Sequence, residues 1–178
     1  EAFARGLLVE ESRTNLFPNA PAGGLAAYLI KQGASTVIDA PGVASPSGDM
    51  AGVVQIAGAD SFSNRVERFF SAAVATNTSP AAAAVYVRAV SGAVSGAVFS
   101  TDGNGAFAST AFTVGTTWTR VAAAWDGTGG AGTGRLLRLY NLTGPVYAAC
   151  FQLEAGAFPT SYIPTTSAAV TRNADAPA

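Results

Sequence analysis

The sequence predicts an all-β chain folded as an antiparallel sandwich or barrel, with the sandwich favoured. Three observations carry this. Helical periodicity is nearly absent. The apolar runs are short and rich in Val, Ile, Phe, Tyr and Thr. Clusters of Gly, Pro, Asn, Asp and Ser separate them. Ten or so short strands without helical crossovers fit antiparallel pairing. A length of 178 residues suits one domain and buries a core without disulfides or metals as props.

The elements follow in order. Residues 6–10 open on Leu7, Leu8 and Val9. Residues 25–32 form an apolar run through Leu25, Tyr28 and Ile30, read as one strand. Val37 and Ile38 carry 36–39 before the turn Ala40-Pro41-Gly42. Val53, Val54 and Ile56 carry 52–57 after a turn at 45–49. Val66, Phe69 and Phe70 carry 66–75, closed by Thr78-Ser79-Pro80. The alanine run 81–84 leads into Val85-Tyr86-Val87, so 82–90 reads as strand. Residues 97–101 and 106–114 flank Asp102-Gly103, the best tight-hairpin signal. Trp118, Val121 and Trp125 carry 118–125, ended by a glycine-rich turn at 126–134. Residues 135–142 and 146–154 flank Thr143-Gly144-Pro145, and 161–164 reads as a last short strand. Residues 14–166 form the sandwich domain. Residues 1–13 read as an N-terminal connector with a first strand, and 167–178 as a C-terminal connector.

Composition removes several function classes. There is no histidine, so Ser-His-Asp and Cys-His chemistry and His-containing zinc sites are absent. Cys150 is the one cysteine, read as a buried inert thiol. A net charge of -1 supplies no field for nucleic acid, and no stretch reaches the ~20 apolar residues that span a bilayer. No signal peptide is visible, and the start at Glu1 reads as a cut from a longer chain. The glycine-rich run 127–134 lacks a phosphate-loop ending.

Two segments carry a family resemblance: Arg5-Gly6-Leu7-Leu8-Val9-Glu10-Glu11-Ser12-Arg13-Thr14-Asn15-Leu16, and Gln152-Leu153-Glu154-Ala155-Gly156-Ala157-Phe158-Pro159-Thr160-Ser161-Tyr162-Ile163-Pro164-Thr165 continuing to Arg172. Together they resemble the opening and closing signatures of a carbohydrate-binding-module-like jelly roll of phage tail fibres and head spikes. The segments 86–92 and 118–121 match that family's middle strands in type and order. The family often carries an aromatic three residues before the closing Gln; here Ala149 stands there. Residues 121–127 with 135–140 also resemble a laminin-G or concanavalin-type lectin sandwich, and both resemblances give a β-sandwich.

The resemblance implies a non-catalytic adhesion module that recognises a bacterial surface polysaccharide, on the extracellular or virion surface. It implies other virion or fibre subunits as partners, and a homotrimer as the expected display. The alternative is a structural decoration or assembly module; a glycan hydrolase or lyase is the least favoured reading. No cofactor is required. The resemblance also implies a structural Ca²⁺ near the chain ends, with Asn15 and Glu154 as the nearest candidate ligands.

Strand alternation supplies candidate binding residues. If Val85, Val87 and Ala89 face the core, Tyr86 and Arg88 face outward. If Val121, Ala123 and Trp125 face inward, Trp118 and Arg120 face the other way. If Leu137 and Leu139 face inward, Arg138 and Tyr140 face outward, and Arg68 joins from 66–75. Each of three strands thus sets an arginine two positions from a Tyr or Trp. Arginine forks suit carboxylates, sulfates and sugar hydroxyls, and the rings suit sugar faces. The expectation is one exposed face carrying Arg88, Arg120 and Arg138 for an anionic glycan.

Overall fold

The computed structural model describes residues 11–19, 23–48, 52–71, 80–101, 107–126 and 134–174. Their elements run β1 (Arg13–Asn15), α1 (Leu25–Tyr28), β2 (Ile30–Gln32), β3 (Thr36–Asp39), β4 (Val54–Ala57), β5 (Arg65–Ser71), β6 (Ala81–Ala89), β7 (Val94–Thr101), β8 (Phe107–Val114), β9 (Thr119–Trp125), β10 (Gly134–Tyr140), β11 (Val146–Ala155) and β12 (Val170–Arg172). A front sheet has the order β2-β5-β10-β7-β8 and a back sheet the order β3-β4-β11-β6-β9; β1 and β12 form a separate pair. Every pairing is antiparallel. The fold is a β-sandwich, as the sequence predicts.

Alternation explains the core. Val66, Val98, Leu137 and Leu139 of the front sheet meet Val37, Ile56, Val85, Val87, Val121 and Val146 of the back sheet. Phe17 stacks on Phe151 at 4.8 Å and meets Tyr28 edge-on at 5.6 Å, plugging one end. β11 changes parity halfway. Its register shifts between Ala149 and Gln152, and Cys150 sits at φ 54°. This is a β-bulge. Before it Val146 and Ala148 face the core; after it Phe151 and Leu153 do.

The alanine run is strand because it is buried on both sides. Ala81, Ala82, Ala83 and Ala84 are all fully buried. Ala83 joins the core, while Ala82 and Ala84 lie opposite Glu154 and Gln152 on the outer side, where the chain after β11 folds back over the sheet.

Several expectations change. The single strand at 25–32 is split into α1 and β2, because Asp39 Oδ1 accepts a 2.9 Å bond from the Ala26 N–H and holds a helical turn. Residues 161–164 form no strand; side chains pin them instead, Gln152 Oε1 accepting from Ile163 N at 2.9 Å. The segment 167–178, read as a connector, contributes β12, which pairs with β1 in the register Arg13↔Arg172. The predicted strand 6–10 and the Asp102-Gly103 turn lie outside the described residues, although β7 and β8 pair up to Thr101↔Phe107.

Candidate ligand-binding faces

The expected single arginine face is not what the topology builds. β6 and β9 belong to the back sheet and β10 to the front sheet. Tyr86, Arg88, Trp118 and Arg120 therefore lie on the opposite side of the sandwich from Arg138 and Tyr140. Alternation separates inside from outside within a sheet, but does not say which sheet a strand joins. Arg68 lies opposite Leu137 in register, towards the interior. Its guanidinium stacks 3.9 Å over the Tyr28 ring and donates to Tyr28 O at 3.2 Å, so it buttresses α1.

Two loops cross most of the outer back face. Trp118 Nε1 donates to Ala44 O at 3.1 Å, drawing the β3–β4 loop across the sheet to β9. Ala40, Val43, Tyr86, Trp118, Tyr147 and Tyr162 pack there around buried Val53, Ala149 and Cys150. This is a satellite core under loops. Arg120 Nη2 donates to Thr160 O at 2.6 Å and ties down the segment after β11. At the far end Arg88 lies between two half-buried rings, 5.1 Å from Trp118 and 5.0 Å from Tyr147.

Under the second loop the two terminal signatures meet. Asn15 is fully buried. Its Nδ2 donates to Phe151 O (3.1 Å) and Ile163 O (3.0 Å), and its Oδ1 accepts from Phe17 N (3.0 Å) and Leu153 N (3.1 Å). Asn19 grips both backbone groups of Phe151, at 2.9 and 2.7 Å. Glu154, also fully buried, accepts from Thr160 Oγ1 at 2.8 Å and from Gln152 Nε2. The Asn15 oxygen already takes two N–H groups and its amide both donors, so Asn15 does not fit a Ca²⁺ site. The pair is a clamp for the chain ends.

Burial raises the Glu154 carboxyl above the usual carboxylate range, opposed by its bonds to Thr160 and by Arg13 and Arg120. The folded state therefore holds this proton more tightly than the unfolded chain. The contribution to stability is largest in acid and is lost as pH rises through the folded value. The Glu154→Gln variant carries no such group. Its stability relative to the parent is expected to fall as pH falls from neutral to the ordinary carboxylate range, checked by urea unfolding at several pH values. A difference independent of pH would contradict this.

The outer front face has a different make-up. Glu67 of β5 lies opposite Arg138 of β10, and Glu67 and Arg138 are only 7% and 8% exposed. Glu67 Oε2 accepts from Arg138 Nε at 2.7 Å and from Arg65 Nε at 2.9 Å. Burial lowers the Arg138 guanidinium from its ordinary value, and Glu67 opposes this. Above this floor stands Phe62, 54% exposed, with Arg138 4.5 Å and Arg65 5.3 Å from its ring centre. Phe62 meets Tyr140 edge-on at 5.8 Å, and the hydroxyls of Tyr140 and Ser109 lie 2.9 Å apart.

The loop holding Phe62 is pinned at several points. Arg65 Nη1 donates to Phe62 O at 2.8 Å, Asn64 Nδ2 donates to Asp60 Oδ1 at 2.8 Å, and Asn64 Oδ1 accepts from Ala34 N at 3.0 Å. Gly58 has φ +69°, and a Cβ there would sit 2.8 Å from Ala34 O. Around this centre Gln32 is half-buried, and Ile30, Ser109, Ala111 and Thr113 are exposed. Sequence reasoning reached Arg138 and Tyr140 but missed Phe62, Arg65 and Glu67 as a unit. The available signal was a lone aromatic inside the polar turn Asp60-Ser61-Phe62-Ser63-Asn64.

No family model matches the sequence. No curated protein matches it. Solved structures do. The CBM22-1 xylan-binding domain of Paenibacillus barcinonensis Xyn10C superposes with a TM-score of 0.57 at 19% identity, covering 83% of this chain and 94% of that one. The CBM22-1–GH10 modules of Clostridium thermocellum xylanase 10B, complexed with xylohexaose, give 0.58 at 11% identity over 88% of this chain and 30% of that one. The family 11 carbohydrate-binding module of Clostridium thermocellum, in complex with a β-1,3-1,4-mixed-linked tetrasaccharide, gives 0.50 at 10% identity over 83% and 98%. Likeness at these identities establishes the jelly-roll fold.

Proposed function

We propose that this chain is a non-catalytic carbohydrate-binding module whose ligand lies across the outer front face. One observation carries the reading: an exposed Phe62 ring stands on a pinned loop beside Tyr140, over a polar floor of Glu67, Arg138 and Arg65. Sugar rings present flat C–H faces to an aromatic platform and hydroxyls to polar groups. Phe62 and Tyr140 supply the platform; Ser109, Tyr140 and Arg65 supply the polar contacts. Both guanidiniums share the Glu67 carboxylate, which fixes their orientation beneath the ring. The xylan, xylohexaose and β-1,3-1,4-mixed-linked tetrasaccharide ligands of the similar structures support this reading.

The wider setting comes from the terminal signatures. Their resemblance to tail-fibre and head-spike modules supports a bacterial surface polysaccharide as the ligand and a virion surface as the site of action. Repeated or trimeric display there would raise a modest affinity through effective concentration. The test is affinity electrophoresis against xylan, mixed-linked β-glucan, galactan and bacterial surface polysaccharides. Phe62→Ala and Tyr140→Ala are each expected to weaken binding about tenfold with little change in melting temperature. Failure of the parent protein to bind any glycan, or undiminished binding by both variants, would overturn the reading. Binding only to particle proteins would favour the assembly alternative.

A further inference from the structure

The arginines of the described residues are spent in different ways. Arg13, Arg65 and Arg138 pair with carboxylates. Arg120 and Arg68 donate to backbone carbonyls. Arg172 donates to Ser161 Oγ. Arg88 differs. Among the described residues no carboxylate pairs with it. Its one hydrogen bond is a long one, from Nη1 to Thr116 O at 3.4 Å, and its buried Nε has no partner.

What holds Arg88 is stacking. Trp118 and Tyr147 lie near 5 Å from the guanidinium, and Trp118 is itself anchored to Ala44 O. Two cation–π contacts keep the charged plane in place without neutralising it. Rings on either side leave the edge of the guanidinium as the approach for a ligand. An in-plane approach to Nη1 and Nη2, since Nε is buried, is the geometry of a bidentate carboxylate. Tyr86, Trp118 and Tyr147 are each half-buried around this point, so a sugar ring carrying the carboxylate has apolar faces to rest on.

We propose that Arg88, clamped between Trp118 and Tyr147, is a second binding site, on the back of the sandwich, for the carboxylate of a uronic-acid-type glycan. The inference does not depend on the front-face reading, and its test is run in a Phe62→Ala/Tyr140→Ala background. The chain has two tryptophans, and Trp125 is buried, so a change in indole emission on adding ligand reports Trp118. Oligogalacturonate is titrated by fluorescence and calorimetry, beside xylohexaose, glutamate and inorganic sulfate. The expected result is a shift in Trp118 emission with oligogalacturonate, weakened by added salt.

Arg88→Lys keeps the charge but loses the planar fork, and should weaken binding about tenfold. Tyr147→Leu should weaken it less, through the lost stack. Three results would overturn the proposal: no response to oligogalacturonate, equal binding by a folded Arg88→Lys variant, or an equal response to xylohexaose. Equal affinity for sulfate or glutamate would also overturn it, since the site would then read any small anion. If both variants fail to fold, the parent's ligand ranking and salt dependence still decide.

Discussion

Asn15→Ala is expected to destabilise the protein by about 4 kcal/mol. Asn15 makes four buried hydrogen bonds, two as donor and two as acceptor, and all four partners are backbone groups. Removing the side chain orphans the N–H groups of Phe17 and Leu153 and the carbonyl of Ile163. Phe151 O keeps its bond from Asn19. Each net hydrogen bond is worth about 1 kcal/mol, and an orphaned buried group costs more than that. The loss is a large share of a typical domain's stability of about 5–15 kcal/mol.

Urea unfolding measures it as a lower midpoint with an unchanged slope. The neighbouring Thr14→Ala removes only an exposed hydroxyl contact with Thr171 and should stay within about 0.5 kcal/mol. Equal effects at both positions would refute the clamp. The clamp joins the described residues of the opening signature to the closing one in one hydrogen-bond network.

Glu67→Ala is expected to cost about 3–5 kcal/mol and to abolish front-face binding. The loss comes from the partners left behind. Arg138 keeps its charge in a nearly buried position and loses its carboxylate, while Arg65 is better able to rehydrate. The floor under Phe62 then loses the group that aligns both guanidiniums. Replacing the pair, in Glu67→Ala/Arg138→Met, should recover much of the stability, because an apolar side chain needs no counter-charge. Binding should stay weak in that double variant, since the polar floor is gone. Chemical denaturation and affinity electrophoresis on the same samples separate the two effects. A double variant no more stable than Glu67→Ala would show that the ion pair is not the source of the loss.

Local signals in the sequence were read well where one physical cause dominates. Thr36–Asp39 is a strand with the expected bounds, since alternation and the following Pro-Gly turn agree. Alternation also placed Val85, Val87, Val121, Leu137 and Leu139 inside. The helical turn Leu25–Tyr28 is not legible in the sequence, because a short apolar run fits helix or strand equally, and Asp39, 13 residues away from Ala26, decides it. Phe62 was missed because a polar turn with one aromatic looks like any loop until its neighbours are known.

By itself the sequence determined the fold class, most strand positions, which side of β6, β9 and β10 turns inward, and the exclusion of histidine chemistry. Those follow from period-2 alternation and turn residues, which act over a few residues. The tertiary structure alone decided which sheet each strand joins, and so split Arg88 and Arg120 from Arg138. It also reversed the parity of β11 through one inserted residue at the bulge, carrying Gln152 and Glu154 to the outer side and under the closing segment. Sheet membership and bulges arise from pairing between strands far apart in the chain. No local pattern encodes that pairing, and it is what divides one expected arginine face between the two sheets.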